Sequence, residues 1–231
     1  MGFLAIDFAI HGPKKPKTLV VTGRTQKKID MAARLYTVEE AKKNGVKLVY
    51  VNTRDIADVN KELRKYSEKG FDDVFIFAPN EEMVTYGVKM LAFDGCLNFF
   101  SGPADQEFSS RVNFYNIHYN STHFVGTSGG NTEDMKQSIE LIENKTVNVA
   151  KIATHILGLD HAVETTKVLP ELEGSKKIVY THKKFPLTEV DKFDENSDDK
   201  YIRELKSIVE RNGNLWSGEA ERYFIQNAPE I

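Results

Sequence analysis

Six histidines, one cysteine, two adjacent aspartates and a glycine-flanked serine are the side chains with which this 231-residue chain could do chemistry. His11, His118, His123, His155, His161 and His182 are scattered, and no pair has the His-x-x-x-His spacing that sets two metal ligands on one helix face. They read as structural or solvated, with no metal expected on these residues. Asp72 and Asp73 fall in an apolar, strand-like stretch, where neighbours point to opposite faces and cannot share a proton. Ser128 lies in Gly-Thr-Ser-Gly-Gly, without the G-x-S-x-G order of a nucleophile elbow. Cys96 sits inside an apolar run and reads as a small buried hydrophobe. What remains is backbone chemistry at strand ends.

Those ends are set by one stretch. Val74–Ala78 is short, aromatic and β-branched, as expected of a strand buried on both faces, and it stops at Pro79. Asn80 can cap a helix with Met83, Val84, Val88, Leu91 and Ala92 at helical spacing and Glu81 and Glu82 in its first turn. Gly95 is expected to break that helix, and Cys96–Phe100 to form a second strand ending at Ser101-Gly102-Pro103. A strand-helix-strand unit closes through a right-handed crossover, which makes its strands parallel and sends Ala78-Pro79 and Ser101-Gly102 to one rim. In open α/β sheets ligands bind at that rim.

The remaining elements follow in order. Gly2–His11 is a crowded apolar helix ended by Gly12-Pro13. Lys17–Thr22 is a strand, Gln26–Leu35 a helix, Lys47–Val51 a strand after a polar segment, and Asp58–Ser67 a helix. This alternation predicts an α/β chain with a doubly wound sheet. Beyond Pro103 a strand is expected within Asn113–Gly126, then a helix capped by Thr132 with Ile139, Leu141 and Ile142 as its apolar positions. Lys151–Ile156 and Lys176–Tyr180 read as strands around an Asp160–Val168 helix. Asp191–Lys200 reads as a linker, and Asp198–Arg211 and Ser217–Gln226 as tail helices, with Trp216, Tyr223 and Phe224 packing the last one down.

Composition narrows the classes. With 40% apolar and 28% charged residues and a net charge of -3, the chain is globular and not basic enough to take nucleic acid as its main partner. A single cysteine allows no disulfide framework, which points to a reducing, cytoplasmic setting. Asp7 interrupts the apolar opening, so no signal peptide is expected, and no run approaches the roughly 20 apolar residues of a membrane span.

Six segments carry a resemblance: Gly70-Phe71-Asp72-Asp73-Val74, Asp94-Gly95-Cys96-Leu97, Ser101-Gly102-Pro103, Gly126-Thr127-Ser128-Gly129-Gly130, Ile152-Ala153-Thr154-His155 and Gly174-Ser175-Lys176-Lys177-Ile178-Val179. In this order and spacing they resemble the cofactor-binding half and C-terminal segment of the medium-chain zinc-type alcohol and polyol dehydrogenases. The Ala5–Gly12 opening and the Asn214–Glu221 tail look more narrowly like the sorbose-1-phosphate reductase-like branch. The resemblance implies a Rossmann-like NAD(P)-binding domain over 1–130, a segment of the catalytic domain over 131–190, and a linker and helical tail over 191–231. It also implies that Gly2 is the last glycine of a G-x-G-x-x-G turn whose first strand and earlier glycines are not among these residues. Zinc would then belong only to an N-terminal half, and this chain is expected not to catalyse alone.

About 20 residues beyond that glycine, NAD enzymes place an acidic residue for the ribose hydroxyl, whereas NADP enzymes place a small residue with an arginine nearby. Here Gly23-Arg24 stands there, with Lys27 and Lys28 behind, which fits NADP ahead of NAD or, alternatively, a turn glycine among solvated cations. By resemblance, Ala78, Pro79, Ser101, Gly102, Thr127 and Ser128 line the nicotinamide side. The expected partners are the nucleotide, a complementing N-terminal fragment, and a second copy paired through the edge strand in 113–126. A free-standing nucleotide-binding or interaction module is the competing reading. A methyltransferase on a similar sheet is disfavoured, since it too needs a glycine-rich first turn.

Overall fold

Short apolar runs become parallel strands wherever a helix follows that can return the chain to the same end of the sheet. The computed structural model describes residues 1–231, which form two units, Met1–Val147 and Asn148–Ile231. The first unit opens with helix α1 (Gly2–His11) and strand β1 (Thr18–Gly23). Helices α2 (Gln26–Leu35) and α3 (Val38–Lys43) lead to strand β2 (Lys47–Asn52), parallel to β1 from Thr18 beside Lys47 to Gly23 beside Asn52. Ile6 and Ile10 of α1 bury with Ala32, Tyr36, Ala41, Val46 and Leu48. Asp7, also buried, has its Oδ1 3.1 Å from His11 Nδ1 one helical turn on.

Helix α4 (Val59–Arg64) then leads to strand β3 (Phe71–Ile76), helix α5 (Glu81–Lys89) and strand β4 (Leu91–Phe99). Helix α6 (Phe114–Tyr119), strand β5 (His123–Gly126) and helix α7 (Thr132–Glu143) complete the unit. β4 lies between β3 and β5, parallel to both, while β1 pairs only with β2. In the doubly wound order 3-2-1-4-5-6 these are the pairings 3-2 and 4-5-6, with no strand of this chain in the first position. The fold is thus Rossmann-like, and β1 and β3 each keep one unpaired edge. The two sheets share a core: Val51, Val59, Leu63 and Met90 pack with Val20, Phe71 and Tyr86.

Several local expectations need correction. Gly95 ends no helix: α5 stops at Lys89, and Leu91 and Ala92 already belong to β4. Gly95 sits in a bulge where the register jumps from Phe71–Leu91 to Asp73–Cys96, beside Asp94 with φ +60°. A Cβ on Gly95 would lie 3.0 Å from the Phe71 carbonyl oxygen, so the glycine permits strand contact. The polar segment before β2 contains α3, capped by the Thr37 hydroxyl, which accepts from Glu40 N–H at 3.1 Å. Within Asn113–Gly126 only the last four residues are strand, and the aromatic part is α6, with Phe114 76% exposed. The cap of α7 is Asn131 in a capping box with Asp134, and Ile139 and Ile142 stand exposed. Nor is the Val74–Ala78 stretch buried on both faces: Ile76 is buried while Phe75 and Phe77 are exposed, so one face of this stretch is uncovered.

In the second unit, strand β6 (Ala153–Gly158) pairs in parallel with β7 (Lys176–Tyr180) and antiparallel with β8 (Thr188–Glu189). Helix α8 (Ala162–Val168) joins β6 to β7, and α9 (Lys200–Arg211) and α10 (Gly218–Asn227) follow. Phe193, in the stretch read as a linker, is buried in one core with Ile156, Tyr180, Phe185, Leu205, Trp216 and Phe224, so strands and tail helices form a single body. Trp216 Nε1 donates to the Tyr180 hydroxyl at 2.7 Å, which donates to Glu221 at 2.7 Å, so the polar ends of both rings are matched.

Trp216 is the only tryptophan, so its fluorescence reads this unit alone. Phe224→Ala removes a fully buried ring and is expected to cost about 3–5 kcal/mol, lowering the urea midpoint of the tryptophan transition. An unchanged midpoint would contradict the packing described.

Candidate functional site

The β3-β4-β5 ladder fixes a rim. Ile76 stands beside Phe99 and Phe99 beside Gly126, so all three strands end level. Ala78-Pro79, Ser101-Gly102 and Thr127-Ser128 therefore emerge at one carboxyl rim, as expected of a ligand crevice. Phe100 N–H donates to the Ile76 carbonyl at 3.1 Å and prolongs the ladder to that edge. Phe77 lies 5.8 Å from Phe100, ring to ring, and 6.3 Å from Phe75. A Cβ on Gly2 would come within 3.8 Å of the Phe77 ring, so the first turn of α1 reaches the same end of β3.

The predicted cation approaches from the other sheet. Gly23 closes β1, where a Cβ would lie 3.1 Å from Ile29 Cδ1, so a side chain there would press on α2. The next residue, Arg24, is half-exposed, and its Nη1 stands 3.5 Å from Glu82 Oε2 in the first turn of α5. The other oxygen, Glu82 Oε1, accepts from the Tyr86 hydroxyl at 2.6 Å. That hydrogen bond, with burial and the Glu82 charge, holds the Tyr86 phenol above its ordinary pKa. Lys28 is exposed on α2 and makes no contact that ties it to the rim. The structure thus brings Arg24 to the helix that starts just beyond Pro79, while Gly23 packs on α2.

A groove of about 790 Å³ runs along the start of α5, lined by Pro79, Asn80, Thr85, Tyr86, Phe108 and Arg111. One wall is the strap from Ser101 to Arg111. Phe108 stacks on Phe99 at 5.7 Å, and Ser110 Oγ donates to the Glu81 carbonyl at 3.1 Å. Glu82, Tyr86 and Arg111 did not stand out in the sequence. Glu82 reads there as a helix-dipole residue, and only the fold shows that its first-turn position meets Arg24.

These residues fit a dinucleotide in part. Arg24 offers a phosphate a planar donor set, and the rim offers backbone groups along three strand ends. A pyrophosphate cradle in such a fold is built from a strand and glycine turn leading into a helix, and here α1 begins at Gly2. At the opposite ends of the strands, His123 Nε2 stands 2.9 Å from Asp94 Oδ1 and ties the bulge to β5, which is a structural contact. No group of three or more His, Cys, Asp or Glu residues could hold a metal ion. No helix is long and apolar enough to cross a membrane.

Comparison with known proteins bears on the same stretch. The zinc-binding dehydrogenase family matches residues 18–144. The L-sorbose 1-phosphate reductase of Klebsiella pneumoniae is 46% identical over 231 residues, all of this chain and 53% of the relative. The mannitol-1-phosphate 5-dehydrogenase of Aliivibrio fischeri is 40% identical over 228 residues, 98% of this chain and 54% of the relative. The chain thus spans about half the length of the curated relatives it matches. Among solved structures, a protein of Sinorhizobium meliloti 1021 bound to NADP superposes with a TM-score of 0.60 over 78% of this chain and 49% of its own, at 16% identity.

Asn80 fixes the start of α5, and with it Glu82, by accepting from Met83 N–H at 3.0 Å. Asn80→Ala is expected to cost about 1 kcal/mol, read as a lower melting temperature of the first unit by calorimetry. No change in melting would mean that the cap does not hold this end of the helix.

Proposed function

Because this chain belongs to the zinc-binding dehydrogenase family, we propose that it forms the nucleotide-holding part of an NADP-preferring dehydrogenase or reductase acting on a sugar, polyol or sugar phosphate. The observation that supports this best is the pairing 3-2 and 4-5-6, which lines up three strand ends as a rim while Arg24 reaches the same helix from the second sheet.

In this reading Arg24 engages the 2′-phosphate of the adenosine ribose, because its planar donors match phosphate oxygens in pairs, and Lys28 adds positive charge behind it. Ala78, Pro79, Ser101, Gly102, Thr127 and Ser128 orient the nicotinamide through backbone groups, and Gly2 lets the start of α1 approach the pyrophosphate. The nicotinamide supplies or accepts the hydride. Polarising the substrate oxygen falls, in this reading, to zinc held by another polypeptide segment, without which the chain is inactive. That segment would also pair its strand with the open edges of β1 and β3, in the cytoplasm, while β5 offers its free edge to a second copy.

The test adds the remainder of the Klebsiella pneumoniae L-sorbose 1-phosphate reductase to this chain and follows NADPH absorbance with a ketose phosphate. Turnover is expected only with both polypeptides, and faster with NADPH than with NADH. Arg24→Ala is expected to weaken NADPH by about tenfold, the worth of one charged hydrogen bond, and to leave NADH within about twofold. Turnover by this chain alone, or a preference for NADH, would contradict the proposal.

A further inference from the structure

Arg24 is not idle in the absence of nucleotide: Glu82 already stands 3.5 Å from its guanidinium. Three features make this contact more than a chance surface pair. Glu82 belongs to the first turn of α5, whose start is fixed by the Asn80 cap, so its backbone is anchored. Its second oxygen is taken by the Tyr86 hydroxyl at 2.6 Å, which points the carboxylate along the helix surface toward Arg24. The partners are 58 residues apart in sequence, Arg24 just after β1 and Glu82 on α5 between β3 and β4, so the fold itself creates the contact.

We propose that Glu82, positioned by Tyr86, acts as an internal counter-ion for Arg24 and thereby limits how strongly the site discriminates between a 2′-phosphate and a free 2′-hydroxyl. This rests on the reading that Arg24 receives the 2′-phosphate. A phosphate bound there carries close to two negative charges and must displace or tolerate the carboxylate. A ribose hydroxyl carries none and meets no such penalty. At 3.5 Å between half-exposed groups the pair is loose, so a phosphate can displace Glu82 without unfolding anything. The carboxylate therefore tunes the preference and does not block it. Glu82 is a specificity-determining residue and Tyr86 a positioning one.

The test uses the full chain and two small probes, adenosine 2′,5′-bisphosphate and adenosine 5′-monophosphate, titrated by calorimetry. Glu82→Gln keeps the size and the hydrogen-bond acceptor but removes the charge. It is expected to tighten the bisphosphate about three- to fivefold, the size of a half-exposed charge pair, and to leave the monophosphate within about twofold. In an Arg24→Ala background the same substitution is expected to leave the ratio of the two affinities unchanged, because the coupling runs through Arg24. Equal effects on both probes, or an undiminished effect without Arg24, would overturn the role given to Glu82 while leaving the nucleotide site in place. No binding of either probe by either chain would overturn the nucleotide reading and this inference with it.

Discussion

Two strand edges, on β1 and on β3, carry backbone N–H and C=O groups that no strand of this chain takes up. Such groups are costly to bury and prone to pair with another chain, so this one constraint shapes the first unit. It explains why the two sheets are joined by side chains, through the Val51, Val59, Leu63 and Met90 core and the Arg24–Glu82 pair, rather than by a ladder. β4, with partners on both sides, is the element that sets the rim.

The second unit solves its packing differently. It has a mixed three-stranded sheet covered by tail helices, and its core is dense in rings: Tyr180, Phe185, Phe193, Trp216 and Phe224. The buried polar ends of Trp216 and Tyr180 satisfy one another and Glu221. Buried Lys183 donates to the Ala228 carbonyl at 3.0 Å and closes the C-terminal end on the same body.

Much of the architecture was legible in the sequence because period and punctuation agree locally. Gln26–Leu35 is bounded by turn residues and keeps Ile29 and Ala32 inward, and Lys176–Tyr180 is a β-branched run after Gly174, so both elements lie where the pattern puts them. Gly95 was misread because a glycine after an apolar helical run signals a stop equally well as it signals a strand bulge. Asn113–Gly126 was misread because aromatic residues favour strands only where a face is covered, and here the aromatics lie open on a short helix. Of the site, the rim pairs and Arg24 were visible as strand-end residues. Glu82 and Tyr86 were not, since a contact between residues 58 apart, from the end of β1 to the start of α5, leaves no local signal.

β1 and β3 hold the two positions that flank the first strand of the doubly wound order, a position that no strand here fills. Hydrogen–deuterium exchange of the amides on β1 and β3 that point away from β2 and β4 tests it most directly, measured with and without a polypeptide carrying the complementing strand. Fast exchange is expected at those amides in the chain alone and slow exchange once the strand is added, with the inner β4 amides slow throughout. Edge amides of β1 and β3 as slow as those of β4 before any addition would contradict it.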